Sequence, residues 1–357
     1  MKKIKFIVMI CMSILLSKST VYNADSASVL VCGIDSLSSI EVNPMSPEII
    51  YSMGIINGLY ISIDGGNNWN TAVVGEKKVF NTSPISIDPK NPQIIYAGEY
   101  KSIDGGKTWS TMNVLGGTIQ INLGQILVHP NNTKILYARA GKYGIYKSNN
   151  SGESWFAINS DKLGNCLALT VDGNNPNILY GYFEKKSKDI YGRELPIVGE
   201  LYKSIDSGAT WISLLPAIEI RRLAVDPANS SNVYAGTVQQ GVYRSLNGGK
   251  QWNTVKRGLP EGVSINFFTF DPVNTEMMYV GTSRGLFYST DKGDNWNSCS
   301  NDLNAYYVRA LAINPQNPAI MYIVVPSEGI LKTTDSGKTW NLANKGILVD
   351  TEFPTCP

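Results

Sequence analysis

The chain has 357 residues, enough for two ordinary domains or one large repeat body, and only 17% of them are charged. Its 31 basic side chains nearly cancel 29 acidic ones, leaving +2, so no long-range field draws it to nucleic acid or anionic lipid. With 33 glycines and 19 tyrosines, the composition suits short strands joined by tight turns and disfavours a helical fold.

The N-terminus reads Met1-Lys2-Lys3-Ile4-Lys5, then runs apolar from Phe6 to Leu16, then small and polar through Ala27. A basic start, a short apolar run and a small-residue tail describe a secretory signal peptide, too short to span a bilayer comfortably. Residues 1–26 are therefore expected to be the signal, cleaved after Ser26 or, alternatively, Ser19, and residues 27–357 the mature chain. The protein is expected in the cell envelope or secreted, with no integral membrane segment after cleavage. No lipobox precedes Cys11 or Cys32. Once the signal leaves, Cys32, Cys166, Cys299 and Cys356 remain, without a Cys-x-x-Cys pair and with one histidine, His129, so neither a metal site nor a cofactor is expected. Two readings of the thiols stand: buried and free, or a Cys32–Cys356 disulfide stapling the two ends of a closed ring.

From residue 38 onward the chain repeats itself. All seven tryptophans close copies of one motif, first Ser62-Ile63-Asp64-Gly65-Gly66-Asn67-Asn68-Trp69, then ending on Trp109, Trp155, Trp211, Trp252, Trp296 and Trp340. Successive tryptophans lie 40, 46, 56, 41, 44 and 44 residues apart, the length of a four-stranded antiparallel unit. Between them a second motif recurs, an Asp, Asn or His opening a turn and an Ile-Ile-Tyr-like strand following it: Asn43 with Tyr51, Asp88 with Tyr96, His129 with Tyr137, and so on through Asp172, Asp226, Asp271 and Asn314. The fifth unit shows the strands most plainly: Arg221 to Val225, Val233 to Gly236, Gly241 to Ser245 and Trp252 to Val255. The turn-opening side chains tie backbone amides, the motif glycines take positive φ, and the indoles pack between sheets. One such sheet cannot bury both faces, so the units must stack radially, which also protects their edges. The fold expected is all-β: a seven-bladed β-propeller of four-stranded antiparallel blades.

The Ser-x-Asp-x-Gly-x-x-Trp stretches resemble the Asp-box, or BNR repeat, of sialidases, sortilin-type receptors, xyloglucan-degrading glycosidases and the photosystem II assembly factors. The resemblance covers roughly residues 38 to 345 and speaks for fold; the box residues themselves read as turn and packing residues, so none is assigned a catalytic role.

Both repeated motifs fall on one face of such a propeller, so a site is expected on the opposite face, where second-to-third loops, blade links and inner-strand starts gather. Counting five residues back from each turn opener gives Ser38, Ser83, Gly124, Leu167, Arg221, Asn266 and Arg309. Arg221, its neighbour Arg222, Arg309, and the loop residues Arg139, Lys142 and Arg284 suggest a cationic patch. Blade four adds an insertion between Phe183 and Glu200 that carries Tyr191 and Arg193. A glycosidase needs two facing carboxylates. Only Asp35 and Glu219 come close, and Glu219 has Arg221 as a ready salt-bridge partner. The xyloglucan-degrading families use two facing propellers, for which this chain is too short, and the Phe-Arg-Ile-Pro stretch of sialidases is absent. The sequence reading is thus a monomeric, non-catalytic propeller binding a protein or glycan, most like the photosystem II assembly factor type, with a glycoside hydrolase or sialidase-like enzyme as the alternative.

Overall fold

The computed structural model describes residues 37–74, 77–78, 83–112, 115–116, 119–120, 123–158, 163–185, 198–215 and 218–347, and all of these belong to one compact unit. Seven four-stranded antiparallel sheets follow one another, each with its strands in chain order. Blade one comprises Leu37–Val42, Ile50–Gly54, Gly58–Ser62 and Asn70–Thr71; blade five comprises Ile220–Asp226, Asn229–Thr237, Val242–Ser245 and Asn253–Thr254. The remaining innermost strands are Ile85–Ile87, Ile126–Val128, Cys166–Val171, Ile265–Phe270 and Ala310–Ile313. Two small hairpins, Val73–Val74 with Lys77–Lys78 and Leu115–Gly116 with Ile119–Gln120, link blades one to two and two to three.

The Asp-box closes on itself as its chemistry requires. In blade two the Ser102 hydroxyl accepts from Gly106 N at 2.8 Å, while Asp104 Oδ1 accepts from Thr108 N at 2.8 Å and from the Ser102 hydroxyl at 2.8 Å. These bonds favour the charged form, and Asp104 is held down to about 2. The glycine of the box sits at φ 88° in blade two and 83° in blade one, a left-handed conformation that a Cβ would strain. The first turns work likewise: Asn43 Oδ1 accepts from Met45 N and Ser46 N, both at 3.0 Å. Gly65 N donates to Glu48 O and Gly105 N to Gln93 O, both at 2.9 Å, which places the two repeated motifs side by side on one face.

The core is distributed between blades, because a sheet four strands wide hides its second face only against a neighbour. One cluster joins Tyr96 of blade two to Leu136 and Trp155 of blade three; another joins Tyr234 of blade five to Ile265, Met278 and Trp296 of blade six. A clamp recurs at these interfaces. The tyrosine ending each Ile-Ile-Tyr stretch is buried. Tyr137 donates to Pro176 O in the first turn of blade four at 2.7 Å, whereas at several other interfaces the hydroxyl crosses to the next blade's Asp-box: Tyr51 to Gly105 O at 2.9 Å, Tyr96 to Ser151 O at 3.0 Å, Tyr180 to Gly248 O at 3.2 Å and Tyr234 to Lys292 O at 2.9 Å. A third-strand cation joins it on the same carbonyl: Lys101 at 2.8 Å, Lys203 at 2.9 Å and Arg244 at 2.8 Å. The lysines also lie over the tyrosine rings, Lys203 at 5.1 Å from Tyr180.

The ring closes with this same clamp. Blade seven takes all four strands, Ala310–Ile313, Met321–Val325, Gly329–Thr333 and Asn341–Leu342, from one continuous stretch, so no strand is shared between its ends. Tyr322 Oη and Lys332 Nζ both donate to Gly65 O of blade one, at 3.0 and 2.7 Å, and Trp69 Nε1 donates to Ala343 O at 2.8 Å. Leu37, Ile40 and Trp69 pack there against Tyr322, Val324 and Ile330. Cys32 and Cys356, the proposed staple, lie outside the described residues, as does the signal segment. Cys166 and Cys299 are free thiols whose burial pushes both up to about 12, which leaves them inert at neutral pH.

Candidate functional site on the face opposite the Asp-boxes

Four innermost strands begin with a pairing irregularity, between Leu37 and Ser39, Cys166 and Ala168, Ile220 and Arg222, and Ile265 and Phe267. The residue thrown out of register is Ser38, Leu167, Arg221 or Asn266, four of the positions reached by counting five back from the turn openers. A bulge re-aims its extra side chain, here at the mouth of the ring.

Much of this ring ties blades together. Ser83 Oγ donates to Leu123 O at 3.3 Å, Asn266 Nδ2 to Val308 O at 2.9 Å and Arg309 to Leu37 O at 3.3 Å, each crossing to the next blade. Arg139, from the second strand of blade three, donates to Leu167 O of blade four and lies 3.5 Å from Cys166 O. Arg139 and Arg309 are half-buried, so these two members of the expected patch act as cross-blade ties. Arg221 reaches furthest: its Nη2 donates to Tyr307 Oη at 3.1 Å, from blade five to the segment leading into blade seven. Arg222 turns back onto Arg221 O at 2.8 Å. Lys142, in the short turn Gly141–Tyr143, and Arg284 are exposed; Lys142 stands 5.2 Å over the Tyr143 ring. The insertion in blade four leaves the sheet as a continuous ladder through Glu184↔Gly199 and Lys185↔Val198, whereas Tyr191 and Arg193 lie outside the described residues.

The salt bridge expected between Glu219 and Arg221 does not form. Arg221 is committed to Tyr307, and the exposed Glu219 carboxylate has no cationic partner among the described residues. Glu219 thus keeps an unpaired carboxylate two residues before an arginine bonded to a phenol, groups able to handle a proton and to hold hydroxyls. Tyr307 escaped the sequence reading because it sits in a blade link, outside both repeated motifs. Asp35 precedes the described residues.

Chemistry also collects inside the ring. A cavity of about 580 Å3 runs along the channel toward the Asp-box face, lined by inner strands of six blades and by the turn residues Pro44, Pro89, Pro130, Gly173, Pro227 and Pro315. Glu41 opens onto it. Protein surrounds this carboxyl although channel solvent reaches it, and the loss of bulk hydration pushes it up to about 7. Among the described residues no group of three His, Cys, Asp or Glu side chains could hold a metal ion.

These features define the chain as an Asp-box (BNR) repeat β-propeller. Its residues 199–307 and 240–352 match the family described as sortilin, neurotensin receptor 3. It is 29% identical over 198 residues to a probable oligoxyloglucan-reducing end-specific xyloglucanase of Neosartorya fischeri, and 27% over 197 residues to the oligoxyloglucan-reducing end-specific xyloglucanase of Emericella nidulans. Each match covers 48% of this chain, which spans only 23% of either relative. In fold it resembles the GH74 xyloglucanase of Xanthomonas campestris, with a TM-score of 0.67 at 14% identity over 89% of this chain and 56% of that one. It also resembles YCF48 of Cyanidioschyzon merolae, with a TM-score of 0.58 at 13% identity over 85% and 97%. The expectation of a non-catalytic binding module is corrected by these matches: the relatives sharing about half of the chain are xyloglucanases, which favours the glycoside-hydrolase alternative. That expectation had rested on the lack of a compelling carboxylate pair and on a length too short for two propellers, while the repeated motifs are scaffold and bear on neither reading.

Proposed function

We propose that this chain is a glycoside hydrolase-type propeller that acts on β-glucan chains of the xyloglucan kind, engaging them at the face opposite the Asp-boxes. The observation that carries the reading is the similarity to xyloglucanases over 198 residues. Two observations support it: Glu219 has no cationic partner among the described residues, and Arg221, two residues further along, is bonded to Tyr307. In this reading Glu219 handles the proton of the glycosidic oxygen and Arg221 with Tyr307 holds sugar hydroxyls; Asp35, the other acid singled out by the sequence, lies outside the described residues. The basic-then-apolar start of the chain directs it out of the cytoplasm.

Incubating the purified protein with xyloglucan oligosaccharides and following new reducing ends tests this. Product formation that Glu219→Gln abolishes, with melting unchanged, is the expected result. Absence of both turnover and saturable oligosaccharide binding overturns the proposal.

A further inference from the structure

Position by position, the inner strands differ in one telling place. Two residues before the turn opener, six units carry Ser86, Leu127, Thr170, Ala224, Thr269 and Ala312, all small or uncharged; the first carries Glu41. Glu41 is the single ionisable side chain among the residues lining the channel cavity. Its other walls are aliphatic side chains such as Val42, Ile85, Ile126 and Val171, the prolines, the hydroxyls of Ser86 and Thr170 and the amide of Gln125, and Ser86 Oγ is already donated to Ile126 O at 2.5 Å. At the Asp-box end the lining prolines offer no N–H donors, so the mouth supplies carbonyls and ring carbons but little to hold an anion. Behind them stand the buried turn openers Asp88, Asp172 and Asp226, which add to the negative potential, and His129, whose burial lowers its basicity and favours the neutral ring. The cavity is within the usual size range for small-molecule sites, with mixed walls of carbon and neutral polar groups and one placed charge.

We propose that the central channel is a binding site for a small organic cation, a primary alkylammonium whose charged head pairs with Glu41 while its chain lies against the aliphatic and proline walls. A guest of this class pairs with the carboxylate, which has no cationic partner among the described residues, and lays its chain on the aliphatic and proline carbon of the walls. Because burial pushes Glu41 up to about 7, binding draws off its proton, and affinity rises with pH through that value. Glu41 lies three residues further along its strand than Ser38 at the saccharide mouth, and the titration below contains no saccharide, so its outcome is read independently of the proposed hydrolase activity.

Calorimetric titration of the intact protein with n-butylammonium chloride tests the proposal. Saturable one-to-one binding is expected, about tenfold weaker at about pH 6 than at about pH 8 as the ionised fraction of Glu41 falls. Glu41→Gln is expected to abolish it while keeping the melting temperature, and sodium butyrate is expected to give no saturable heat. The side-chain carboxyl carbon of Glu41, followed by NMR in the unsubstituted protein, should shift over the same titration, which keeps the test open should the variant fold poorly. Equal binding by Glu41→Gln, no saturable butylammonium heat at about pH 8, or an unmoved carboxyl resonance overturns the proposal.

Discussion

Replacing Tyr322 by Phe removes only the hydroxyl that links blade seven to Gly65 O of blade one at 3.0 Å. Because Lys332 Nζ still reaches that carbonyl at 2.7 Å, the acceptor is not orphaned, and the loss should be that of one neutral hydrogen bond, about 1 kcal/mol. Lys332→Met removes a charge-assisted bond, about 1.5 to 3 kcal/mol when well formed. It also removes a partly solvated cation over the Tyr322 ring at 5.5 Å, roughly 0.5 kcal/mol more. Together the two substitutions strand the Gly65 carbonyl, so the double variant should lose about 1 kcal/mol or more beyond the sum of the single losses. Guanidinium unfolding followed by tryptophan fluorescence is the assay, since each Asp-box carries one of the seven indoles. Tyr96→Phe, at the equivalent clamp on Ser151 O between blades two and three, is the control. Closure by an ordinary blade interface requires equal losses for Tyr322→Phe and Tyr96→Phe. A loss at Tyr322 exceeding that at Tyr96 by about 3 kcal/mol, or no loss at either, refutes the reasoning.

His129 replaces the Asp or Asn of the other turns, and its Nδ1 accepts from Asn132 N at 3.1 Å only while unprotonated. Burial lowers its basicity, so its contribution to stability is present above the ordinary value of 6.5 and is lost as pH falls below it; His129→Asn should flatten that part of a melting-temperature profile. Asp104 is held down to about 2 by the bonds of its box, so its contribution is present above the ordinary 3.8 and is lost as pH falls toward 2. Asp104→Asn, which gives the box the residue already found as Asn150 and Asn247, should lessen acid sensitivity there when unfolding is followed by circular dichroism. Gly281 lies against the Phe267 ring, where an added Cβ would fall 1.8 Å from Cε1, so Gly281→Ala should cost about 1 to 3 kcal/mol in denaturant unfolding, and Phe267→Leu should restore part of it.

The blades were legible because their information is local. Eight residues from Ser62 to Trp69 contain the hydroxyl, carboxylate, glycine and indole that make one turn, and a turn needs nothing distant to be recognised. The five-residue count reached the bulge positions of Arg221 and Asn266 for the same reason: register is carried along a strand. Whether Arg309 and Arg139 were free surface charges or ties to Leu37 O and Leu167 O depended on carbonyls of another blade, which no spacing reveals. The same holds for Arg221, whose partner proved to be Tyr307 rather than Glu219. Glu41 divides between the two. Its chemical oddity is plain in the sequence once the seven units are compared two residues before their turns, but its displaced acidity arises from strands far apart in the chain that meet only when the ring closes. The sequence by itself determined the repeated unit and its register, because turns and strands are short-range objects; tertiary structure alone decided which charges are spent between blades and which face open space, because that depends on which blade stands next.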